Sequence, residues 1–357
     1  MRINYEKISK KVYEDFMKQK CIKLEDRKTI IDYWIGVIAF IFDLNFDNWK
    51  EDIEFGKFGS GASEKVWLIN PETHEKGLFK FPKVKDKEKG TITGEYWAEK
   101  LAIEIGKLID VKCARIDIGT YKGRIGSMSY NLVSTNFEEN YTCLLEGIVF
   151  IENKYPYYDK DKLEDPYSNN KYSIQMIQKS LNGILKIEEF YKIVIFDILI
   201  GNSDRHHSNW AILAKGTAFK NSEDMTDINF NYSMSPLYDN GSSLCAYEDN
   251  NNVEIFFKDK MKFEALINTK SKSAIGWENE RPIRHFELLK KIKDNAYDRT
   301  IQYIENIKNN INEENIDKIL NEFDNDIISI DMKKLLKLYI LERRKRMLVI
   351  YDLKDEV

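Results

Sequence analysis

A strongly apolar segment that stops abruptly in a polar loop constrains this chain most. Residues 191–200 read YKIVIFDILI, and Gly201 and the loop 202–209 (NSDRHHSN) follow at once. An apolar run of this kind predicts a buried helix, and a glycine directly after it is a common helix C-terminus. The fold must therefore let a rigid, buried helix present a polar loop, which is where scaffolds usually place reactive side chains.

This loop and a second one about thirty residues later carry side chains in a specific order. Asp204 is followed five positions on by Asn209, and Asp239 stands in the segment YDNG at 238–241. In phosphoryl-transfer sites of the kinase type, one aspartate orients the attacking hydroxyl, while an asparagine and a second aspartate hold magnesium. The order Asp, Asn, Asp therefore predicts such a site, although Asp-Asn-Gly is also ordinary β-turn sequence.

The same loop allows a second interpretation. Asp204, His206 and His207 are residue types that ligate metals, so a metal-hydrolase site is conceivable. Adjacent histidines point in different directions in most backbones, and the other two histidines are distant in sequence. The metal-hydrolase interpretation is therefore the weaker one.

Upstream of these loops, glycines surround a tight turn between two predicted strands. Gly56, Gly59 and Gly61 lie between a strand at 53–58 and a strand at 65–69. Glycine lets backbone N–H groups approach phosphate oxygens closely, and such a turn favours anions. The segment is not a Walker A sequence, and an ordinary hairpin turn would look the same.

A lysine follows in the next predicted strand, 78–81. Strand alternation places Lys80 on the face opposite Phe79 and Phe81, so packing of the two rings would point Lys80 into a cleft. There it could reach nucleotide phosphates, whereas the ordinary alternative is an exposed strand lysine. Lys83, at the end of the strand, is a rival for the role.

The predicted helix 93–109 supplies an acidic partner for that lysine. Glu95 stands near its start and is expected to pair with Lys80, as the strand lysine of a kinase is held by its helix. Glu99, one turn later, is the alternative partner. A glutamate that only stabilises the helix N-terminus explains Glu95 equally well.

Composition excludes several classes of function. The 55 basic and 59 acidic residues leave a formal charge of −4, which is not the basic footprint of a nucleic-acid-binding protein. The start of the chain has no signal-peptide core, and the apolar run 34–42 is about half of the ~20 residues that a membrane span needs. The four scattered cysteines predict reduced, buried thiols. We therefore expect a cytoplasmic protein without direct nucleic-acid or membrane partners.

The order of predicted elements indicates an α+β fold with two lobes. Helices are expected at 5–19 and 26–43, strands and one helix between 53 and 132, and mainly helices after that (173–182, 187–200, 284–311, 313–325 and 330–353). This divides the chain into a helical N-terminal extension (1–50), a β-rich N-lobe with the glycine loop (51–135) and a helical C-lobe with both polar loops (136–357). A cleft between the two lobes is expected.

Together these elements resemble the HipA-like serine/threonine kinases, including their CtkA-type standalone members, within the protein-kinase-like fold. The likeness extends from about residue 53 to 250. The matching segments are GASEK (61–65), FKFP (79–82), EY (95–96), IGNSDRH (200–206), NW (209–210) and PLYDNGS (236–242).

The resemblance implies a dependence on ATP and Mg²⁺. ATP would lie under the glycine loop, at Gly59, Ser60, Gly61, Ala62 and Ser63, and some family members carry an inhibitory phosphoserine in this loop. Ser60 and Ser63 are the candidates here for such autophosphorylation.

The resemblance also distributes roles over the rest of the site. Lys80 would hold the phosphates with Glu95 behind it, and Asp204 would be the catalytic residue. Asn209 and Asp239 would bind magnesium.

Three further residues complete the expected site. Tyr130 and Leu132 would offer backbone contacts to adenine, and His206 would lie at the nucleotide site and brace its loop. The partners implied are ATP, a protein substrate and an antitoxin-like protein of the toxin–antitoxin type. The helical start of the chain differs from the β-rich start of HipA, which weighs against a shared antitoxin interface. A small-molecule or lipid kinase, and a nucleotide-binding pseudokinase that serves as an interaction module, are the alternatives.

Overall fold

A six-stranded sheet with the order β1-β7-β8-β4-β3-β2 forms the N-terminal part of the fold. The computed structural model describes residues 44–52, 64–86, 88, 90–133, 141–220, 226–249 and 252–354. In this part, the strands up to residue 130 are β1 (Leu44–Asn45), β2 (Lys50–Glu51), β3 (Lys65–Ile69), β4 (Lys76–Lys80), β5 (Val84–Asp86), β6 (Thr91–Ile92), β7 (Ile116–Tyr121) and β8 (Arg124–Tyr130).

Strand β4 shows how the sheet positions a functional side chain. Phe79 is fully buried and contacts the rings of Phe46, Phe81 and Tyr121, so one face of β4 belongs to the core. Successive strand residues point to opposite faces, so Lys80 faces away from this cluster. The strand prediction for this segment is confirmed, and its bounds shift by one or two residues.

Helix α1 (Glu95–Leu108) packs against the sheet. Its buried apolar stripe includes Trp97, Ala98, Leu101 and Ile105, the positions that the three- and four-residue spacing predicts. The helix contacts β7 and β8, and Glu95 and Glu99 of its first turns line a small pocket with Lys80 at the end of β4.

The C-terminal part is mainly helical. Its helices are α2 (Gly147–Lys154), α3 (Ile174–Ser180), α4 (Ile187–Ile200), α5 (Glu254–Lys258), α6 (Lys260–Glu264), α7 (His285–Asn310), α8 (Glu313–Asn321) and α9 (Ile330–Ile350). Helix α4 is the central one: eleven of its residues are buried, and α7 and α9 pack against it. It ends at Gly201, whose φ of 72° is left-handed. A Cβ there would lie 1.9 Å from the Tyr339 hydroxyl oxygen, so only glycine fits.

A three-stranded sheet in this part was not predicted. It has the order β13-β12-β9 and consists of β9 (Tyr141–Glu146), β12 (Ala211–Lys220) and β13 (Thr226–Met234). Short strands complete the set: β10 (Glu164–Asp165), β11 (Asn170–Lys171), β14 (Lys272–Ser273) and β15 (Ile283–Arg284). Because β12 begins two residues after Asn209, this sheet fixes the far end of the loop 202–209.

Several sequence predictions fall outside the described residues. They are the helices at 5–19 and 26–43, the strand at 53–58 and the predicted lobe boundary between residues 135 and 136. The prediction of buried thiols is confirmed for Cys245 and wrong for Cys143, which is exposed on β9 of the three-stranded sheet. No helix in the described ranges is long and apolar enough to cross a membrane.

Candidate active site

A cavity of about 470 Å³ brings the predicted residues of both halves together. Lys80 projects into it from β4, and Asn209 and Asp239 enter it from the two polar loops. Tyr130 and Leu132, at and just after the end of β8, line it as well. The other lining residues are Lys65, Trp67, Leu78, Ser129, Asn131, Leu144, Glu146, Ser208 and Tyr238.

Lys80 and Asp239 form an ion pair across this cavity. Lys80 Nζ lies 2.8 Å from Asp239 Oδ1. Loss of water lowers the pKa of Lys80, but the charges of Asp239 and Glu99 outweigh it and the net pKa is raised. Desolvation raises the pKa of Asp239, but the Lys80 charge and hydrogen bond hold it below its usual value. Both groups are therefore charged at neutral pH.

Glu95 has a different partner from the expected one. Its Oε1 lies 3.1 Å from Lys83 Nζ and accepts a 2.8 Å hydrogen bond from the Tyr247 hydroxyl. Thr93 Oγ1 donates to Oε2 at 2.5 Å. The expected Lys80–Glu95 ion pair is thus replaced by Lys83–Glu95. Glu95, the first residue of α1, still lines a small pocket with Lys80 and Asp239, but its carboxylate oxygens bond to Lys83, Tyr247 and Thr93.

Glu99 lies one turn further along α1. It is 3% exposed, and Asn240 Nδ2 approaches its Oε1 at 3.5 Å. Burial raises the pKa of Glu99 against the opposing charge of Lys80. A Cβ on Gly241 would lie 3.2 Å from the Glu95 carbonyl oxygen and 3.3 Å from Glu99 Oε2, so the second polar loop packs closely against the start of α1. Glu99, the alternative partner, is therefore the acidic group of α1 that meets the second polar loop.

The side chain of Asp204 is exposed at the edge of the site, whereas both its backbone N–H and its carbonyl are hydrogen-bonded. Its N–H donates to Asn202 Oδ1 at 3.0 Å, and its carbonyl accepts from Asn209 Nδ2 at 2.6 Å. That carbonyl can only accept, so the amide nitrogen of Asn209 faces it and Oδ1 points away. Desolvation and the charge of Asp239 raise the pKa of the Asp204 carboxyl, against the influence of His206.

A buried arginine joins the two polar loops. Arg205 is 1% exposed, and its Nη2 lies 2.8 Å from Asp197 Oδ1 of α4. The same guanidinium donates to the carbonyl oxygens of Asn209 and Tyr238, each at 2.7 Å, and to Asn240 Oδ1 at 2.6 Å. One charged side chain thus fixes the loop of Asp204 relative to the loop of Asp239.

The two histidines of the loop do not converge on a metal site. His207 is buried, and its Nδ1 hydrogen-bonds with the Tyr158 hydroxyl at 3.1 Å. His206 Nδ1 accepts from the backbone N–H of Ser208, so His206 braces the loop. Within the described ranges, no three His, Cys, Asp or Glu side chains are grouped as metal ligands. The glycine-loop residues Gly59, Ser60, Gly61, Ala62 and Ser63 lie outside those ranges.

With the geometry in place, comparison with known proteins decides the family. A model of the HipA-like C-terminal domain matches residues 59–326, about three quarters of the chain. The chain belongs to this family. The HipA-like match includes Lys80, Asp204, Asn209 and Asp239, so the cavity and both loops lie inside the family's domain.

A curated relative of this HipA-like chain is the serine/threonine-protein kinase CtkA of Helicobacter pylori. It is 23% identical over 233 residues, which cover 65% of this chain and 66% of CtkA. The crystal structure of a Helicobacter pylori proinflammatory kinase CtkA is similar with a TM-score of 0.67 and 18% identity, over 87% of this chain and 96% of that one. The predicted two-lobed, kinase-like α+β fold is thereby confirmed.

A more distant similarity is to HipA in a Shewanella oneidensis complex of HipA, HipB and operator DNA. The TM-score is 0.51 at 13% identity, with 86% of this chain and 70% of that chain covered. This comparison supports the same fold in a second HipA-like protein.

The HipA-like site also contains residues that sequence analysis did not find. His285 Nε2 donates to the carbonyl oxygen of Asn202 at 2.9 Å, and Ser271 Oγ lies 2.7 Å from His285 Nδ1. Arg343 is fully buried and donates to the same Nδ1 and to the carbonyl of Ile198 near the end of α4. This support reaches the loop of Asp204 from α7 and α9. The only sequence signal was a basic residue in an otherwise core-facing position of α9.

Proposed function

We propose that this protein is an ATP- and magnesium-dependent protein serine/threonine kinase. The observation that carries the proposal is the 470 Å³ cavity in which Lys80, Asn209 and Asp239 meet, with Asp204 beside it. These are the residue types, in chain order, that kinases use for phosphoryl transfer. Membership in the HipA-like family and the similarity to the kinase CtkA support it.

The cavity suits a nucleotide in size and lining. Its volume lies in the range of small-molecule sites, roughly 300–1,000 Å³. Leu78, Leu132 and Leu144 offer apolar lining for a base beside the backbone of Tyr130, and Lys80 supplies a positive charge for phosphates. Entry of phosphates next to Lys80 would exchange its ion pair with Asp239 for a lysine–phosphate contact.

The donor set fits magnesium. Asp239 offers a carboxylate and Asn209 an amide oxygen directed away from the Asp204 carbonyl, and magnesium prefers such hard oxygen ligands together with substrate phosphates. Asn209 and Asp239 would hold the ion, and it would neutralise charge on the phosphates. Magnesium binding also requires the Asp239 carboxylate to leave Lys80, so nucleotide and metal should each raise the protein's affinity for the other.

Asp204 acts on the acceptor. Its carboxylate would orient the serine or threonine hydroxyl and take its proton as the hydroxyl oxygen bonds to the γ-phosphorus of ATP. The bond from that phosphorus to the β–γ bridging oxygen breaks, and ADP leaves. The raised pKa of Asp204 makes it a better proton acceptor than an ordinary exposed aspartate.

Thermal-shift titration tests the proposal. ATP with magnesium should stabilise the protein by about 2.7 kcal/mol at a hundredfold excess over the dissociation constant, and ATP alone should stabilise it less. Asp239→Asn is the matched variant, which should lose most of the magnesium effect. No response to ATP with or without magnesium would rule out a kinase. If ATP binds but intact-mass measurements show no phosphate transfer to any acceptor, the protein would instead be a pseudokinase.

A further inference from the structure

A second cavity, of about 650 Å³, adjoins both polar loops without sharing a lining residue with the nucleotide cavity. Ser203, directly before Asp204, lines it, and so does Ser242, three residues after Asp239. We call it the acceptor groove and define it by Ser203, Ser242, Ile255, Phe256, Lys262 and Lys270. A ligand in it would lie next to Asp204 while the nucleotide cavity stays free.

Two exposed lysines mark one wall of the groove. Lys262 and Lys270 are exposed, and neither has a carboxylate within ion-pair distance among the residues that the structure describes. Of the lysines close to them in sequence, Lys258 is paired with Glu254, and the carboxyl group of Asp249 also lines the groove. The groove also contains Glu248, whose pKa burial raises against the charges of Lys85 and Lys270. The lysine of the groove least affected by carboxylates is therefore Lys262.

Apolar surface lies beside these lysines. Ile255, Phe256 and Leu266 line the groove between α5 and the turn after α6. On the same two helices, Phe257 is 43% exposed and Met261 83% exposed. Exposed apolar residues grouped in this way are typical of surfaces that bind another protein.

We propose that the acceptor groove binds the substrate protein through a segment in which acidic and aliphatic residues flank the phosphorylated serine or threonine. This proposal rests on the proposed kinase function and adds the class of substrate. Charge complementarity with Lys262 and Lys270 selects the acidic residues, and Ile255, Phe256 and Leu266 take the aliphatic one. Continuity with Ser203 places the acceptor hydroxyl next to Asp204.

Two synthetic peptides test the proposal on the full chain. Both carry one serine and a nearby leucine; one has glutamates around the serine and the other has lysines. Fluorescence anisotropy with ADP and magnesium present measures binding, and labelled ATP measures transfer. We expect the acidic peptide to bind about threefold to tenfold more tightly, because two exposed ion pairs contribute modestly.

Charge reversal provides the matched comparison. The double variant Lys262→Glu/Lys270→Glu should prefer the basic peptide, and Lys262→Ala/Lys270→Ala should lose the preference without reversing it. Lys260→Glu, on the same helix but outside the groove, should behave as the wild type does. All three should bind ATP normally, since these lysines are exposed and distant from the nucleotide cavity's lining.

Three results would overturn the groove proposal. The first is that the wild type binds the basic peptide as tightly as the acidic one, or more tightly. The second is that Lys262→Glu/Lys270→Glu still prefers the acidic peptide. The third is that protein that binds ATP does not bind the acidic peptide at millimolar concentration. Failure of the proposed kinase function would give a different result: ATP itself would not bind, or no acceptor would gain phosphate, whichever peptide is preferred.

Discussion

Lys80 and Asp239 in the 470 Å³ cavity, and Arg205 and Asp197 behind the loops, form ion pairs of the same 2.8 Å length. The side chains of the cavity pair keep 23% and 44% of their surface exposed, whereas those of the loop pair keep 1% and 4%. Water and ligands can reach the first pair and not the second. Under the proposed function, the cavity pair would exchange partners when phosphates and metal bind, while the loop pair holds the backbone that carries Asp204 and Asp239.

The largest expected effect comes from breaking the loop pair. Arg205→Ala leaves Asp197 buried without its partner and removes the contacts to Asn209, Tyr238 and Asn240, so it should lower the free energy of unfolding by about 3–5 kcal/mol. Urea denaturation measures this. Lys258→Ala, which breaks the exposed pair with Glu254, is the control and should cost no more than about 0.5 kcal/mol. If the two variants lowered the free energy of unfolding equally, the buried loop pair would not have the structural role assigned to it.

Breaking the cavity pair should impair ligand binding instead of folding. Lys80→Ala should weaken ATP binding by about ten- to a hundredfold, since a hydrogen bond to a charged group contributes about 1.5–3 kcal/mol. Stability should change little, because the nearby Glu99 can take up a proton. Lys83→Ala is the matched control and should keep ATP affinity. If Lys83→Ala weakened calorimetric binding as much, the assignment of the phosphate lysine would be wrong.

The buried histidine of the loop region predicts a pH dependence. Burial, with the nearby charge of His206, lowers the pKa of His207 to about 4, whereas in the unfolded chain it is about 6.5. Between these values the unfolded chain binds a proton that the folded chain does not, so stability falls as the pH falls. From pH 7 to pH 5 the loss from His207 is about 2 kcal/mol.

His207→Gln isolates this contribution. The variant should lose about 2 kcal/mol less than the wild type between pH 7 and pH 5, as measured by urea unfolding at both values. Parallel losses in the two proteins would show that His207 is protonated in the folded state, and hence that the loop is open to water.

The smallest expected effect concerns the support from α7. His285→Ala removes the donor to the carbonyl of Asn202, whose side chain holds the backbone of Asp204. The turnover number should fall about three- to tenfold while the dissociation constant for ATP stays the same, because one buried hydrogen bond is lost away from the nucleotide. His285→Gln keeps a donor and should recover part of the rate. A change in ATP affinity would contradict this positioning role.

The contrast between the two pairs also explains what sequence analysis could predict. Asp204, Asn209 and Asp239 were predicted from residue types in a fixed order, and Lys80 from the strand alternation that points it away from Phe79; the structure places Lys80, Asn209 and Asp239 in one cavity. Helix 187–200 was predicted with its observed bounds, since its apolar run stops at a glycine.

The supporting residues could not be found in this way. Arg205 meets Asn240 35 positions away, and His285 meets Asn202 83 positions away, so only the folded chain brings them together. The partner of Glu95 was mistaken for a similar reason: one helical turn decides whether Lys80 or Lys83 is in reach. In the three-stranded sheet, β9 pairs with β12 across more than sixty residues, which local pattern does not encode; β12 and β13 form a local hairpin.

Phosphate transfer from labelled ATP by the wild type and by Asp204→Asn tests the central claim most directly. Asp204 is exposed, so the substitution should leave the fold and ATP binding intact while transfer falls by about 10²–10⁴-fold, the usual contribution of a positioned acid or base. Magnesium should be required in the wild type. Transfer by Asp204→Asn at the wild-type rate, in protein with normal ATP binding, would contradict the assignment of this loop as the catalytic one.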